Sequence, residues 1–359
     1  MKNSIKVNLE ILSNLHGVSG FEKSIGNYLI KQFKQLDQFE IENDQLGSIA
    51  FIKKAKDSKN VPTVSFSAHM DEVGFLVSKI TKDGFIFFTP LGGLSTHVLL
   101  GQRFVITTNE GKEFVAVSGS KAPHILTDEE LEKLIPMDKL YLDVGVDSRK
   151  KIEEMEIIEG NQITPFQEEL LFVEGNDRVI GKALDDRAGL AALIEIGKAI
   201  NEKDLDCNLI LVATVQEEIG LRGALTSAYK WTPDVGFAID VTYAEDTPRY
   251  ARKAVELGSG VSFSMVDDAT VTSPKLFALM QKIAVKNQIN FTYDQSITGG
   301  TDAGTIQLAR DGVRVMSLSI PSRYMHTHNT IIDLNDIKAV STLAIKFISE
   351  FNQKELNKL

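Results

Sequence analysis

The 359-residue sequence contains a single cysteine, Cys207, and this scarcity excludes two classes of protein. A disulfide framework needs paired cysteines and a thiolate zinc cluster needs several, so neither organises this chain. The N-terminal segment lacks the apolar core of a signal peptide, and no run approaches the ~18 apolar residues of a membrane span. We therefore predict a cytoplasmic protein with no membrane partner.

The chain also has fewer basic than acidic residues. Lys and Arg total 39 against 49 Asp and Glu, which gives a formal net charge of −10. A surface that binds a phosphate backbone is enriched in positive charge, so this balance argues against nucleic acid as a partner. The 43% hydrophobic and 25% charged residues are ordinary for a globular protein. At about 150 residues per domain, the length predicts roughly two domains.

Helical and strand-like patterns alternate near both ends of the chain. Helical spacing of apolar residues covers residues 5–15, 21–36, 188–200 and 274–287, and Asn335 is a candidate N-cap for a final helix to about residue 355. Apolar, strand-like runs cover residues 61–68, 209–215, 235–239 and 314–320. Such alternation predicts the α/β class, with a mostly parallel sheet flanked by helices.

The middle of the chain has a different pattern of apolar and polar residues. Short strand-like runs at residues 75–80, 85–88, 103–108, 114–118 and 140–144 are separated by Gly, Asp and Asn. Only two short helical pieces interrupt them, near residues 128–133 and 149–155. Many short strands at close spacing predict a small β-barrel or sandwich. We therefore predict one α/β domain, residues 1–71 and 167–359, split by an inserted β-rich domain at residues 72–166.

Histidines and carboxylates follow four of the predicted strands where each strand ends. They are His69 and Asp71 after 61–68, Glu217 and Glu218 after 209–215, Asp240 after 235–239, and His326 after 314–320. In open α/β sheets, ligands bind outside the carboxyl ends of the strands, so these side chains are expected at one edge. Asp185 and Asp186 directly precede a predicted helix, where they either cap it or face the same edge.

These residue types in this number suit a metal centre. Two histidines and three carboxylates, one of them bridging, give each of two metal ions three protein ligands and leave positions for water. Two metals that share a water are suited to hydrolysis, and a spare carboxylate then serves as general base. In an extended chain the adjacent Glu217 and Glu218 point to opposite sides, so one can bind metal while the other faces the water.

Each of these motifs is weak when taken alone. A His-x-Asp pair is usually a surface pair or a capped turn, a Glu-Glu pair is usually a solvated loop, and an Asp-Asp pair before a helix is usually a cap. Their joint occurrence at the ends of apolar strands is what favours a metal site over these structural interpretations.

At these residues the sequence resembles the tetrahedral aminopeptidase family, which includes glutamyl and deblocking aminopeptidases and members called endoglucanases or FrvX-like proteins. The matching segments follow one another along nearly the whole chain. They are HMDEVG at 69–74, MDKLYLDVG at 137–145, KALDDR at 182–187, VQEEIGLRGA at 215–224, DVT at 240–242, GGTDAG at 299–304 and RYMH at 323–326.

The resemblance implies a role for each matching residue. His69, Asp185 and Asp240 would hold one metal ion, and Asp185, Glu218 and His326 the other. Glu217 would be the general base, and Asp71 would orient the ring of His69. The resemblance also implies a zinc-peptidase-like catalytic domain, a cis peptide between Asp185 and Asp186, and two divalent ions per subunit, Zn or Co. The inserted domain would be a β-barrel that forms dimers, which assemble into a tetrahedral dodecamer.

Departures from the family pattern limit what can be carried over. Lys121-Ala122-Pro123-His124 stands where the family often has Lys-Pro-Pro-His, so His124 is expected to be only structural. Thr327 and His328 follow His326 where the family often has Ser and Pro. His328 is either a residue that supports the nearby ligand His326 or a solvent-exposed loop residue, and we expect the second. His16 and His97 are also expected to be structural.

The predicted reaction is removal of an N-terminal residue from a peptide substrate. Two alternatives stay open: a metal-dependent amidohydrolase acting on acylated amino acids, and a non-catalytic metal-binding assembly protein, against which an intact Glu217 argues. The sequence argues against an endoglucanase. That reaction needs two carboxyl groups that face each other about 5–9.5 Å apart, whereas Glu217 and Glu218 are expected to point apart, and it has no role for the strand-end histidines.

The preferred N-terminal side chain is the least determined feature of the sequence. Thr301, Arg323 and Arg252 are candidate substrate-binding residues. Arg252, Lys253 and Arg323 either supply positive charge for a Glu or Asp substrate or are surface charges. On the first interpretation, we predict a preference for acidic residues.

Overall fold

The computed structural model describes residues 1–57, 61–248, 250, 253–294 and 298–359. The α-helices in these residues are α1 Lys2–Asn14, α2 Lys23–Phe33, α3 Asp128–Glu132, α4 Arg149–Glu154, α5 Leu184–Ile200, α6 Arg222–Trp231, α7 Pro274–Lys286, α8 Asp302–Ile306, α9 Leu334–Glu350 and α10 Gln353–Leu356. None of the described helices is both long and apolar enough to cross a membrane.

The β-strands of the described residues belong to one large sheet and one barrel. They are β1 Glu40–Asn43, β2 Ile49–Lys53, β3 Thr63–His69, β4 Gly74–Ile80, β5 Ile86–Leu91, β6 Arg103–Thr107, β7 Glu113–Ser118, β8 Leu142–Asp143, β9 Gln162–Pro165, β10 Leu171–Phe172, β11 Arg178–Gly181, β12 Asn208–Thr214, β13 Val235–Tyr243, β14 Val261–Ser264, β15 Phe291–Asp294, β16 Arg314–Arg323 and β17 Thr330–Asp333.

The large sheet has the strand order β1-β2-β12-β3-β13-β16-β17-β11-β10, with β14 paired to β16 and β15 paired to β14. Its four central strands, β12, β3, β13 and β16, run parallel to one another. They are buried along almost their whole length. Burial on both faces explains their nearly unbroken apolar runs, and it confirms the α/β class with flanking helices. The outer pairs along this order are antiparallel on both sides, whereas β15 pairs with β14 in parallel.

Alternate residues of the central strands enter two different cores. On one side, Phe66 and Phe237 stack with ring centroids 4.6 Å apart, and Phe347 of α9 packs edge-on against Phe237 at 4.9 Å. On the other side, Ala238 of β13 packs with Ala303 of α8 in a smaller cluster that also includes α6. This alternation is what a strand covered by helices on both faces requires.

Residues 74–165, all of them described, contain a closed barrel with the strand order β4-β5-β8-β7-β6-β9. Its interior is a separate hydrophobic core that includes Phe75, Phe104, Ile106 and Leu142. The chain enters the barrel directly after β3 and returns to the large sheet at β10. The β-barrel expected in the middle of the chain is therefore present, inserted into the α/β fold.

Several local predictions were wrong. The last long helix, α9, ends at Glu350, and the short α10 follows it as a separate helix. The N-cap of α9 is Asp333 and not the expected Asn335. The carboxylate of Asp333 accepts the backbone N–H of Asn335. Strand β13 continues through Asp240 to Tyr243, so Asp240 lies within the strand rather than after it. Strand β1 was not predicted because it is a mostly exposed, polar edge strand.

The aromatic core gives a test of the fold. Phe237→Ala is expected to lower the free energy of unfolding by about 3–5 kcal/mol, because it removes a fully buried ring and leaves a cavity. Urea unfolding followed by the fluorescence of Trp231, the single tryptophan, measures this change. In the control Phe172→Ala the residue is 37% exposed, so the expected loss is smaller, about 1 kcal/mol. Equal losses in both variants would contradict the core position of Phe237.

Candidate metal centre

The carboxyl ends of the central strands open into a cavity of about 420 Å³. Its lining includes all of the predicted metal ligands and the predicted general base: His69, Asp185, Glu217, Glu218, Asp240 and His326. His69, Glu217, Glu218, Asp240 and His326 lie at the edge where the strand ends were expected to bring them, because parallel strands deliver their last residues to the same edge. Asp185, which the sequence left as either a helix cap or a residue of this edge, lines the cavity as well.

Three sets of side chains within this lining have donor atoms close enough to hold a metal ion. The atoms of each set lie within 4.8 Å of one another, and the sets are His69/Asp185/Asp240, Asp185/Glu218/His326 and His69/Glu217/Glu218. The first two share Asp185. Its Oδ1 is 3.0 Å from Nε2 of His69, and its Oδ2 is 3.4 Å from Nε2 of His326. One oxygen toward each histidine is the disposition that a bridging carboxylate needs.

The two adjacent aspartates have different surroundings. The peptide between Asp185 and Asp186 is cis, as the resemblance implied, and neither residue has helical backbone angles. Asp185 faces the cavity. Asp186 is fully buried, where its carboxylate accepts the backbone N–H of His69 at 3.2 Å and that of Gly189 at 2.9 Å. Asp186 therefore caps the regular part of α5 and also anchors the end of β3.

Asp71 is a fully buried carboxylate that joins several segments. Its Oδ1 accepts the backbone N–H of Glu217 at 3.0 Å, and its Oδ2 accepts that of Glu218 at 3.2 Å and the hydroxyl of Ser19 at 2.5 Å. Nδ1 of His69 lies 3.0 Å from the backbone oxygen of Asp71, which directs Nε2 into the cavity. Burial alone would raise the pKa of Asp71, but the imidazole of His69, with Nδ1 3.5 Å from Oδ1, and the hydrogen bonds from Ser19 and Glu217 hold it below its usual value.

Glu217 and Glu218 do not occupy an extended segment, so the expectation that they point to opposite sides was wrong. Gln216 has a left-handed backbone with φ of 55°, and the chain turns directly after β12. Both carboxylates enter the same cavity as a result. Oε2 of Glu217 is 4.0 Å from Nε2 of His69, and Oε2 of Glu218 is 3.6 Å from Nε2 of His326.

The barrel also contributes to the site. Nδ1 of His326 lies 2.7 Å from the backbone oxygen of Gly93, in the loop that follows β5. This contact fixes the ring so that Nε2 faces Asp185 and Glu218. The neighbouring Gly92 has φ of 86°, and a Cβ there would lie 3.2 Å from Oε2 of Glu218. A side chain at this position would intrude on the site, which explains the glycine.

The site concentrates negative charge away from water. Burial raises the pKa of Glu217 and of Asp240 well above the usual range. Burial, reinforced by the charge of Asp185, raises the pKa of Glu218 to about 8. Oε1 of Glu218 is buried and has no hydrogen-bond partner among the described residues. Clustered carboxylates, two imidazoles and an unsatisfied oxygen together fit divalent metal cations.

Only one of the three candidate substrate-binding residues is seen to line the cavity. Thr301 lines the cavity, where its hydroxyl lies 2.8 Å from Oγ of Ser317 and caps α8. Arg323 is not among the lining residues, because its guanidinium pairs with Asp246, with Nε 2.8 Å from Oδ1. This pairing engages one of the three cationic side chains on which the expected acidic preference rested. Arg252 lies outside the described residues.

The remaining histidines are not cavity residues. His328 is only 7% exposed and packs edge-on against Phe104 of the barrel at 4.8 Å, so the expectation of an exposed loop residue was wrong. Burial lowers the pKa of His328 to about 4. His16 has a structural contact, with Nδ1 2.6 Å from the hydroxyl of Thr164. His124 and His97 are exposed.

Other residues of the site were not predicted. Glu22 is buried, and its Oε1 accepts the backbone N–H of Gln216 at 3.0 Å, which supports the turn before Glu217. Asp267 and Asp268, in the loop after β14, and Asp294, the last residue of β15, also line the cavity. The strand-end argument applied to β14 and β15 would have found these three, but neither strand was recognised in the sequence.

Comparison with known proteins agrees with this geometry. Residues 47–343 match the M42 glutamyl aminopeptidase family. The glutamyl aminopeptidase of Lactococcus lactis subsp. cremoris is 34% identical, over 97% of each chain. The lysyl aminopeptidase of Pyrococcus furiosus is 33% identical, over 93% of this chain and 94% of its own.

A solved structure shows the same fold. The TET1 peptidase of Pyrococcus horikoshii superposes with a TM-score of 0.86 at 29% identity, over 97% of this chain and 100% of its own. That peptidase can assemble into a tetrahedron or a large octahedral shell. With a family match over most of its length and relatives above 30% identity along nearly all of it, this chain belongs to the M42 glutamyl aminopeptidase family.

Proposed function

We propose that the chain cleaves N-terminal residues from peptides at a two-metal centre in the strand-end cavity. The observation that carries this proposal is that two ligand sets share Asp185 while Glu217 stands beside them and is needed by neither. A shared carboxylate with a spare carboxylate at the same cavity is the arrangement that two-metal hydrolysis requires. The family match supports the same reaction.

The two ligand sets divide the proposed metal ions between them. His69, Asp185 and Asp240 would hold one ion, and Asp185, Glu218 and His326 the other. Zinc or cobalt suits this mixture of imidazole nitrogen and carboxylate oxygen. When bound, such a pair supplies a Lewis acid for the scissile carbonyl and lowers the pKa of the attacking water.

Glu217 would carry the proton through the reaction. Its carboxylate takes one proton from the attacking water as the oxygen adds to the scissile carbonyl carbon. The same proton then passes to the peptide nitrogen as the carbon–nitrogen bond breaks, which restores the carboxylate. Asp71 acts as a positioning residue, because it holds the backbone of Glu217 and orients the ring of His69. The free α-amine of the substrate distinguishes this reaction from hydrolysis of acylated amino acids.

Removal of the proton carrier tests the role of Glu217. Glu217→Gln is expected to lower kcat by at least about 100-fold, since general acid–base catalysis contributes about 10²–10⁴. Its metal content should stay the same, because neither proposed ligand set includes Glu217. Turnover of an aminoacyl-p-nitroanilide beside an N-acetylated analogue, with metal analysis, measures both. Glu195→Gln, a buried carboxylate on α5, is the control. A near wild-type kcat in Glu217→Gln would refute the assignment.

Loss of the shared ligand tests the metal centre. Asp185→Ala is expected to reduce the metal content of both positions, because each loses one of its three protein ligands. The measurement is metal analysis after dialysis against zinc or cobalt buffer. The control is Asp311→Ala, an exposed carboxylate away from the cavity. Retention of two ions per chain by Asp185→Ala would rule out a bridging role.

We also propose that residues 72–166 form a dimerisation domain and that dimers assemble into a tetrahedral dodecamer. The barrel lies within these residues, and the TET1 peptidase, which this chain resembles, can assemble into a tetrahedron or a large octahedral shell. The segment after β7 exposes several large apolar side chains, with Ile125 at 62%, Leu131 at 58% and Leu134 at 52%. Exposed apolar residues that lie close together are typical of an interaction surface.

Charge placed on this surface tests the assembly. The pair Leu131→Lys and Leu134→Lys is expected to reduce the particle mass measured by light scattering, because an apolar interface does not tolerate buried lysines. The control is Leu308→Lys, at a residue of the α/β domain that is 75% exposed. Circular dichroism confirms that the variants remain folded. An unchanged particle mass in the folded double variant would exclude this surface from the interface.

A further inference from the structure

The loop that joins α1 to α2, residues 15–22, lies against the segment that follows β3. We call these residues the N-terminal loop. The carbonyl of Gly17 accepts the backbone N–H of Glu72 at 3.0 Å, and Val18 forms a parallel bridge with the same residue. The loop also reaches the turn after β12, which carries the proposed general base. All of its residues are described, and none of them lines the strand-end cavity.

Glu22 is the contact between the N-terminal loop and the turn after β12. Its Oε1 accepts the backbone N–H of Gln216 at 3.0 Å and that of Gly20 at 2.8 Å. Gln216 has φ of 55°, a left-handed backbone that is unfavourable for a residue with a side chain. Such a conformation persists where surrounding groups hold it, and Glu22 supplies one of these contacts.

Glu22 acts from the side of the turn that faces away from the proposed metal ligands. It is 5% exposed and lines a second cavity, of about 280 Å³. Among the described residues, this cavity shares no lining residue with the strand-end cavity: Val215 lines the second cavity, whereas Glu217 and Glu218 line the strand-end cavity. Glu22 therefore does not touch a substrate in the strand-end cavity, and its effect on the reaction passes through the backbone of the turn.

Ser19 supports the same turn through Asp71. Its hydroxyl donates to Oδ2 of Asp71 at 2.5 Å, and the two oxygens of Asp71 accept the next two N–H groups of the turn at 3.0 and 3.2 Å. Three successive backbone N–H groups, residues 216–218, are thus held by two buried carboxylates, Glu22 and Asp71. One of these carboxylates belongs to the N-terminal loop, and the other accepts a hydrogen bond from it.

We propose that Glu22 and Ser19 are positioning residues that hold the turn at residues 216–218, so that the carboxylate of Glu217 meets the attacking water. The proposal rests on the proposed aminopeptidase function. Glu22 acts as a hydrogen-bond acceptor directly on the turn, whereas Ser19 acts through Asp71. Placement of this kind affects the rate because a general base must lie within hydrogen-bond reach of the proton that it takes.

Removal of the acceptor is the first test. Glu22→Ala is expected to lower kcat by about 10- to 100-fold, because a displacement of about 1 Å at a reacting group can cost about 100-fold. KM for Leu-p-nitroanilide and the zinc content should both stay within about twofold, since Glu22 neither lines the strand-end cavity nor belongs to a ligand set. A parallel loss of zinc would show that Glu22 acts through the ligand Glu218 and would overturn the assignment to Glu217.

A conservative variant separates the hydrogen bond from the charge. Glu22→Gln keeps a side-chain oxygen that can accept both N–H groups. Burial, together with the charge of Asp71, raises the pKa of Glu22 to about 7, so a neutral side chain suits this position. Glu22→Gln is expected to keep kcat within about threefold of the wild-type value, because a neutral acceptor forms a weaker bond in the same place. A loss as large as in Glu22→Ala would refute the role of Glu22 as an acceptor.

Asp336 offers a matched control for loss of stability. It is a fully buried carboxylate that accepts the backbone N–H groups of Gly258 and Gly260, each at 2.7 Å, and it does not line the strand-end cavity. Burial raises its pKa to about 7 as well. Asp336→Ala should lower the Tm about as much as Glu22→Ala while leaving kcat of the folded protein unchanged. Equal losses of kcat in the two variants would tie activity to overall stability and contradict the proposal.

Ser19→Ala tests the second contact, and it remains informative if Glu22→Ala does not fold. The substitution removes one donor from Asp71 and leaves the backbone of the N-terminal loop intact. It is expected to lower kcat by about three- to tenfold with an unchanged KM, since the lost bond supports only the placement of the turn. An unchanged kcat would exclude Ser19 from the positioning role.

Hydrogen–deuterium exchange tests the contact without any turnover. Glu22→Ala is expected to speed exchange of the amides at residues 215–218 by at least about tenfold, because local opening of the turn becomes easier. Asp336→Ala should leave exchange there unchanged. A wild-type protein that cleaves no free-amine substrate would count against the proposed function, but the exchange experiment still decides whether Glu22 holds the turn. Unchanged exchange in folded Glu22→Ala, or faster exchange with wild-type kcat, would overturn the proposal.

Discussion

The geometry of the cavity depends on one buried carboxylate that holds no proposed metal ion. Asp71 accepts hydrogen bonds from the backbone of Glu217 and Glu218 and from the hydroxyl of Ser19, and its own backbone orients His69. The ends of β3 and β12 and the loop after α1 therefore meet at one group. Separating them would leave a buried charge without its donors, which is strongly unfavourable.

Buried cations lie behind this carboxylate-rich edge. Nζ of Lys182 is 2.8 Å from Glu72, and the fully buried guanidinium of Arg187 is 3.6 Å from the same carboxylate. Burial lowers the pKa of Lys182, and Glu72 opposes that effect. Arg187 is also within the electrostatic reach of Asp71, Glu22 and Asp186. The protein thus places positive charge beneath the site, where it offsets the acidic residues without competing for the cavity.

The sequence predicted the parts of the site that depend on neighbouring residues and missed the parts that depend on residues far away in the chain. His69, Asp240 and His326 were predictable because each lies at or near the end of an apolar run that must be a buried strand. The turn at Gln216 was not, since its left-handed backbone depends on Glu22, 194 residues away. His328 is buried only because the barrel packs against it, and Arg323 is neutralised by Asp246, 77 residues away. Local patterns carry no information about such partners.

The contact between Gly93 and His326 makes the inserted barrel part of the candidate metal centre. One backbone oxygen of the barrel sets the orientation of a proposed ligand in the other half of the chain. The two parts are therefore not interchangeable modules during evolution. A barrel borrowed from another protein would have to present a carbonyl at the same point, so the barrel is freest to change on its surfaces away from this loop.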